Sequence, residues 1–142
     1  MRTFTIELPP GLPMLSLNDR DHWAARKRRS DELEKAAWAM ALKAKVPPLE
    51  RVSVLAEYQP PDMRHRDADN PVASVKACID GIVKAGVLPD DECPRYITEV
   101  ICRIGELYPR GRLVLTLTEV PAAARRTAQG RAAAPRQRAG TA

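Results

Sequence analysis

Between residues 64 and 92 the chain concentrates the side chains that can do chemistry. Arg64-His65-Arg66-Asp67-Ala68-Asp69-Asn70 is followed by Lys76 and Asp80, then by Asp90-Asp91-Glu92. In an extended backbone, side chains at i and i+2 project to the same side, so Asp67 and Asp69 can offer their oxygens to one hard cation. Mg²⁺ suits that donor set, because it takes a few carboxylates and keeps several waters. With a third carboxylate such a site can cut phosphodiesters: the metal activates a water, screens phosphate charge and stabilises the leaving oxygen. A lysine nearby adds positive charge where the pentacovalent phosphorus develops. Arg64 and Arg66 beside the acids suit a phosphate backbone better than a neutral substrate.

Taken singly, each of these residues also has an ordinary structural reading. Acids just ahead of a helix favour the positive end of its dipole, by roughly 0.3–1 kcal/mol each. Lys76 and Asp80 stand at i, i+4, a surface pair worth roughly 0.3–0.5 kcal/mol. Asp90 and Asp91 follow a proline, where aspartate is common in turns. The combination is what carries the chemistry.

These residues need elements to position them. Phe4, Ile6 and Leu8 alternate with Thr3, Thr5 and Glu7, which predicts a half-buried strand ended by Pro9, Pro10, Gly11 and Pro13. Ser30-Asp31-Glu32 reads as a helix start. Leu33, Ala36, Ala37, Met40, Ala41 and Ala44 then mark one face, until Val46-Pro47-Pro48 ends the helix. Val52, Val54 and Ala56 alternate as a second strand. Residues 60–70 read as a loop, and Asn70-Pro71 as the cap and first residue of a second helix. Val72, Val75, Ile79, Ile82 and Val83 form its apolar face, and Gly86 is placed for a left-handed cap. Tyr96–Ile104 and Leu113–Val120 are β-rich runs around Tyr108-Pro109-Arg110-Gly111, expected to pair as an antiparallel hairpin. The order is βαβαββ, an α+β single domain: a mixed sheet with two helices on one face.

Composition bounds the class. The chain has 142 residues, one domain's worth, with 44% hydrophobic and only 4% aromatic residues, so its core is aliphatic. Nothing approaches the ~18 apolar residues of a membrane span. The start, MRTFTIELPP, has no apolar stretch of a secretory signal, and a cytoplasmic location is expected. Three cysteines (Cys78, Cys93, Cys102), without CxxC spacing, indicate neither a disulfide framework nor a zinc ribbon. They read as small, mostly buried hydrophobes. The net charge of +5 comes from the end of the chain: residues 121–142 hold five arginines and no acid, which leaves 18 basic and 18 acidic residues in 1–120. Residues 121–142 read as a disordered basic Ala/Arg-rich tail, with 1–120 as the domain.

The set Asp67-Ala68-Asp69-Asn70, a lysine early in the next helix, Asp80-Gly81, Lys84-Ala85-Gly86 and Asp90-Asp91 resembles the RusA family of Holliday junction resolvases. The likeness extends over most of residues 2–120, including Leu113–Glu119 and Ser16–Arg20, and its specific part is residues 66–91. The spacer between Asp69 and Asp80 is longer here than in the best-known member, so Lys76 takes the lysine role with a gap before it. Two adjacent acids, Asp90 and Asp91, compete for the third acidic role, and ungapped counting from Lys84-Ala85-Gly86 favours Asp91.

The resemblance implies a homodimeric, Mg²⁺-dependent endonuclease, with Mn²⁺ as a substitute ion. It would nick branched DNA symmetrically across a four-way junction, in recombination or repair, from a phage or prophage source. Asp67, Asp69 and Asp91 would be the metal-binding carboxylates and Lys76 the catalytic cation, its side chain leaning back toward the helix N-terminus. Arg20, Arg26, Lys27, Arg28 and Arg29, with Trp23 among them, would face DNA; without the acidic motif the same stretch reads as a solvated loop leading into a helix. A dimeric module that binds branched DNA without cutting, and a nuclease for flaps or forks, are the competing expectations.

Distance sets one further constraint. A helix over 71–85 is roughly 22 Å long, and the chain from Ala85 to Asp91 returns at most ~20 Å. Asp91 rejoins Asp67 and Asp69 by running almost straight back, by a helix broken at Gly81, or across a dimer. The last is the expectation taken here.

Overall fold

The computed structural model describes residues 1–15, 23–63 and 71–120. The Ser16–Arg20 segment, His22, residues 64–70 with Arg64, His65, Arg66, Asp67, Asp69 and Asn70, and the basic tail lie outside the described residues. The elements are β1 (Thr3–Glu7), α1 (Trp23–Lys43), β2 (Val52–Gln59), α2 (Val72–Lys84), β3 (Ile97–Ile104) and β4 (Arg112–Glu119). This is the βαβαββ order expected from the periodicities, as one small α+β domain with two helices and a mixed four-stranded sheet.

The strand order, β1-β4-β2-β3, corrects one expectation: β3 and β4 do not form a hairpin. β2 lies between them, parallel to β3 and antiparallel to β4, and β4 also pairs antiparallel with β1. The cause is the connection through α2. Strands joined by a helical crossover pair in parallel, so β2-α2-β3 is a βαβ unit that occupies one edge of β2 and leaves β4 the other. The loop after β3 accordingly crosses the end of β2: the Gly105 N–H donates to the Tyr58 carbonyl at 2.8 Å and the Tyr108 N–H to the Pro60 carbonyl at 3.0 Å. The expected turn is present within that loop, with Arg110 and Gly111 both at positive φ.

Alternation gives the sheet one dry face. Ile6, Val52, Val54, Ala56, Leu113, Leu115 and Leu117 are buried, and α1 (Leu33, Ala37, Ala41) and α2 (Val75, Ala77, Cys78, Ile79, Ile82) pack into the same core. Small residues let the two helices approach closely. A Cβ on Gly81 would stand 2.2 Å from the Glu34 carbonyl oxygen, so glycine is needed where α2 crosses α1. Among the described residues no helix is long and apolar enough to cross a membrane.

The start of α1 differs from expectation. α1 begins at Trp23, two turns before Ser30, so Ser30 is an interior residue rather than a cap. Ala24, Ala25 and the Lys/Arg run are good helix formers, and they carry the helix back through the basic stretch. α2 begins at Val72 after Pro71, which is already in the αR region and accepts the Val75 N–H at 2.9 Å. Its end is as expected. Gly86 at φ +85 lets its own N–H reach the Val83 carbonyl and the Val87 N–H reach that of Ile82, the paired bonds of a Schellman cap.

Candidate active site

The site is assembled on the N-terminal half of α2. Lys76, one turn into that helix, holds its ammonium between two carboxylates, donating to Asp80 Oδ1 at 3.1 Å and to Asp91 Oδ2. Asp80 is the i+4 neighbour and follows from helix geometry. Asp91 is fifteen residues away and must be delivered by the fold. After the Gly86 cap, Val87 and Leu88 bury themselves, and the Leu49 N–H fixes the Val87 carbonyl at 2.7 Å. The chain then runs back along the helix. Buried Arg51 holds the far side of the turn, its Nε donating to the Pro94 carbonyl at 3.0 Å next to the cis Cys93–Pro94 bond.

Asp91 therefore meets Lys76 within one chain, with α2 unbroken at Gly81. This contact is made within one chain, and the meeting of Asp91 with Asp67 and Asp69, which the three routes concerned, lies outside the described residues. Asp91, and not Asp90, reaches the lysine. Asp90 instead turns its Oδ1 back to accept the Asp91 N–H at 2.7 Å.

The pair is electrostatically matched. Hydrogen bonding to Asp91, with help from Asp80, raises the Lys76 pKa above its ordinary 10.5. Hydrogen bonding to Lys76 in turn holds the Asp91 carboxyl below its ordinary 3.8. Lys76 is thus a cation at neutral pH, fitted to stabilise anionic charge and unfitted to act as a base. Asp80 and Asp91 hold its ammonium in place.

The basic stretch is divided by α1. Arg26 and Lys27, together with Trp23, Ser30 and Asp31, line a groove of about 480 Å³ that also contains Leu15, Ala73 and Lys76. Arg28 and Arg29 lie on the same two turns but do not line that groove. Arg26, Lys27, Arg28 and Arg29 follow Trp23 on the first two turns of α1, and Lys27 pairs with Asp31 at 3.2 Å. Trp23 is 71% exposed beside the groove, presenting an apolar ring to solvent.

Ser74 is a residue that sequence reasoning missed. It is fully buried, its Oγ accepts the Leu15 N–H at 2.8 Å, and it pins the segment after β1 onto α2. A lone serine on an apolar face carried no signal. Arg51 was equally silent in the sequence. Of the cysteines, Cys78 is buried, Cys102 half-buried and Cys93 exposed, so the expectation of burial fails for Cys93. Burial pushes the Cys78 thiol up to about 12.

Among the described residues no group of three metal-ligating side chains converges. The expected three-carboxylate set includes Asp67 and Asp69, which lie outside them. The donor chemistry is compatible with Mg²⁺: Asp91 and Asp80 offer only hard oxygens, and the Asp91 side chain is 32% exposed. Arg20, Arg64 and Arg66 likewise lie outside the described residues. No family model matches the chain, and no curated protein matches it significantly.

Proposed function

We propose that the protein is a Mg²⁺-dependent, structure-selective DNA endonuclease, similar to the RusA resolvases, that resolves four-way junctions by paired nicks as a homodimer. The observation that carries this reading is the Lys76–Asp91 contact. It unites the lysine and the third acid of the motif at the start of the helix that Asp69 precedes by three residues. The sequence motif groups the same two residues across a fifteen-residue gap.

Asp67, Asp69 and Asp91 would hold the metal, which when bound supplies Lewis-acid activation of water and charge screening at phosphate. Lys76 donates to a phosphate oxygen and stabilises the charge that builds there. Arg26 and Lys27 neutralise backbone phosphates in the groove that contains Lys76, orienting the strand past the carboxylates. Trp23 at its rim offers a face for an unstacked base at the branch point.

The test is a labelled synthetic four-way junction, incubated with Mg²⁺ or with EDTA, beside linear duplex and flap controls. Paired nicks in the junction alone, only with Mg²⁺, are expected. Asp69→Asn is expected to keep junction binding and lose nicking. Tight binding with no cleavage in either condition overturns the reading in favour of a non-cutting branched-DNA module. Cleavage of flaps in preference to junctions reassigns the substrate.

A further inference from the structure

We propose that the outer edge of β3 is the surface on which a second copy of this chain docks, joining two sheets into one across a two-fold axis at Ile101. This names the contact behind the homodimer of the nuclease reading and rests on that reading for its biological purpose, while its geometry comes from β3 alone.

Among the described residues β3 ends the sheet, and one row of its backbone groups has no strand beside it. Gly105 N–H points to β2, and because backbone groups alternate along a strand, those of Val100, Cys102 and Ile104 point away. Edge strands in monomeric proteins are usually blunted by prolines, bulges or lysines. Beyond the irregularity near its start, β3 has none of these over Val100–Ile104. Glu99 and Arg103 flank Ile101 on one face, and the apolar side chains of Val100, Ile101 and Ile104 are exposed at 43%, 48% and 36%. The patch continues past the strand end through Leu107 and Met63, which with Pro60 line a groove of about 440 Å³.

Charge selects the occupant and the register. In an antiparallel pair about a two-fold axis, opposite residues share a face, so the axis must pass through a residue. Centred on Ile101, Ile101 stands against itself, Val100 against Cys102, and Glu99 against Arg103 in both halves. Arg103 already bonds Glu57 of the neighbouring strand at 2.9 Å. The row then reads Glu57, Arg103, Glu99 of the second copy, with alternating sign. Centred on Val100 or on Cys102, each charge meets an apolar residue or a glycine instead. The edge is complementary to itself in one register, which an unrelated partner strand has no reason to match.

Sedimentation equilibrium of the full chain should give twice the single-chain mass. Ile101→Glu, which sets like charges on the axis at an exposed position, should give the single-chain mass with an unchanged far-ultraviolet circular dichroism spectrum. In a Cys93→Ser/Cys102→Ser background, Ile101→Cys should form a covalent dimer on mild oxidation, because Cα atoms of such a pair lie about 4.5 Å apart. Val100→Cys in the same background should not. A single-chain mass at every concentration overturns the proposal and leaves the edge to another segment or another protein. A dimer untouched by Ile101→Glu, or one cross-linked through Val100→Cys, overturns it as well. Mass and cross-links are read without DNA. An inactive dimer therefore refutes the nuclease and not the interface, and junction nicking by a monomer does the reverse.

Discussion

In the proposed reaction Lys76 is the stabilising cation, and its protonation can be followed across pH. Asp91 has a depressed pKa, so the pair's contribution to stability is present above 3.8 and is lost only as pH falls through the lowered value. Lys76 has a raised pKa, so the same contribution is present below 10.5 and is lost only as pH rises through the raised value. Between about pH 6 and 9 both groups keep their charge, well inside that window. Lys76→Gln should therefore lower junction nicking about a hundred-fold or more, by a factor that stays constant over that range. A single-turnover rate measured at several pH values checks it, and a loss that widens toward high pH would mean that Lys76 acts as a base. That Lys76 and the later acid pair belong together was legible in the sequence from their combination in one motif, and the structure brings Lys76 to Asp91, while Asp67 and Asp69 lie outside the described residues. Between Asp90 and Asp91 the sequence offers only a count of residues. The structure separates them by what each touches, since Asp90 spends its carboxylate on a backbone N–H.

At the scale of elements, Gly81 decides how α2 lies on α1. It stands in the motif beside Asp80 and was a candidate break point, yet the helix passes through it and uses the missing Cβ for contact. Gly81→Ala would gain up to about 1 kcal/mol of helix propensity. It would also set a methyl 2.2 Å from the Glu34 carbonyl, and overpacking against backbone costs about 1–3 kcal/mol or more. The second effect wins, so the urea midpoint should fall and Lys76 should lose its register with the α1 groove. The alternating strands, the face of α2 and the Gly86 cap were legible because each is a local pattern. The early start of α1 was not: four adjacent charges hide a helix that its own apolar face marks only from Leu33 onward. The β3–β4 hairpin was misread for a related reason. A turn sequence fixes a local reversal, whereas strand neighbours are decided by the βαβ unit that takes the edge first.

For the molecule as a whole, the formal neutrality of residues 1–120 means that attraction to a polyanion must be local. On the proposed reading the α1 groove would supply it beside Lys76, and five further arginines stand in residues 121–142. Arg26→Ala should weaken junction binding and flatten the log–log salt dependence by about 0.9, the change for a single phosphate no longer neutralised. Filter binding at graded salt measures this, and an unchanged slope would remove Arg26 from the interface. The sheet order has a consequence of a different kind. β4, the last of the described strands, sits between the first two, with Thr3 paired to Thr118 and Val52 to Glu119. Among the described residues β1 pairs with β4 alone, a partner more than a hundred residues further along the chain. So many long-range pairings place the expected folding rate on the slow side for the domain's size, because the sheet is complete only once the strand made last lies between two made first.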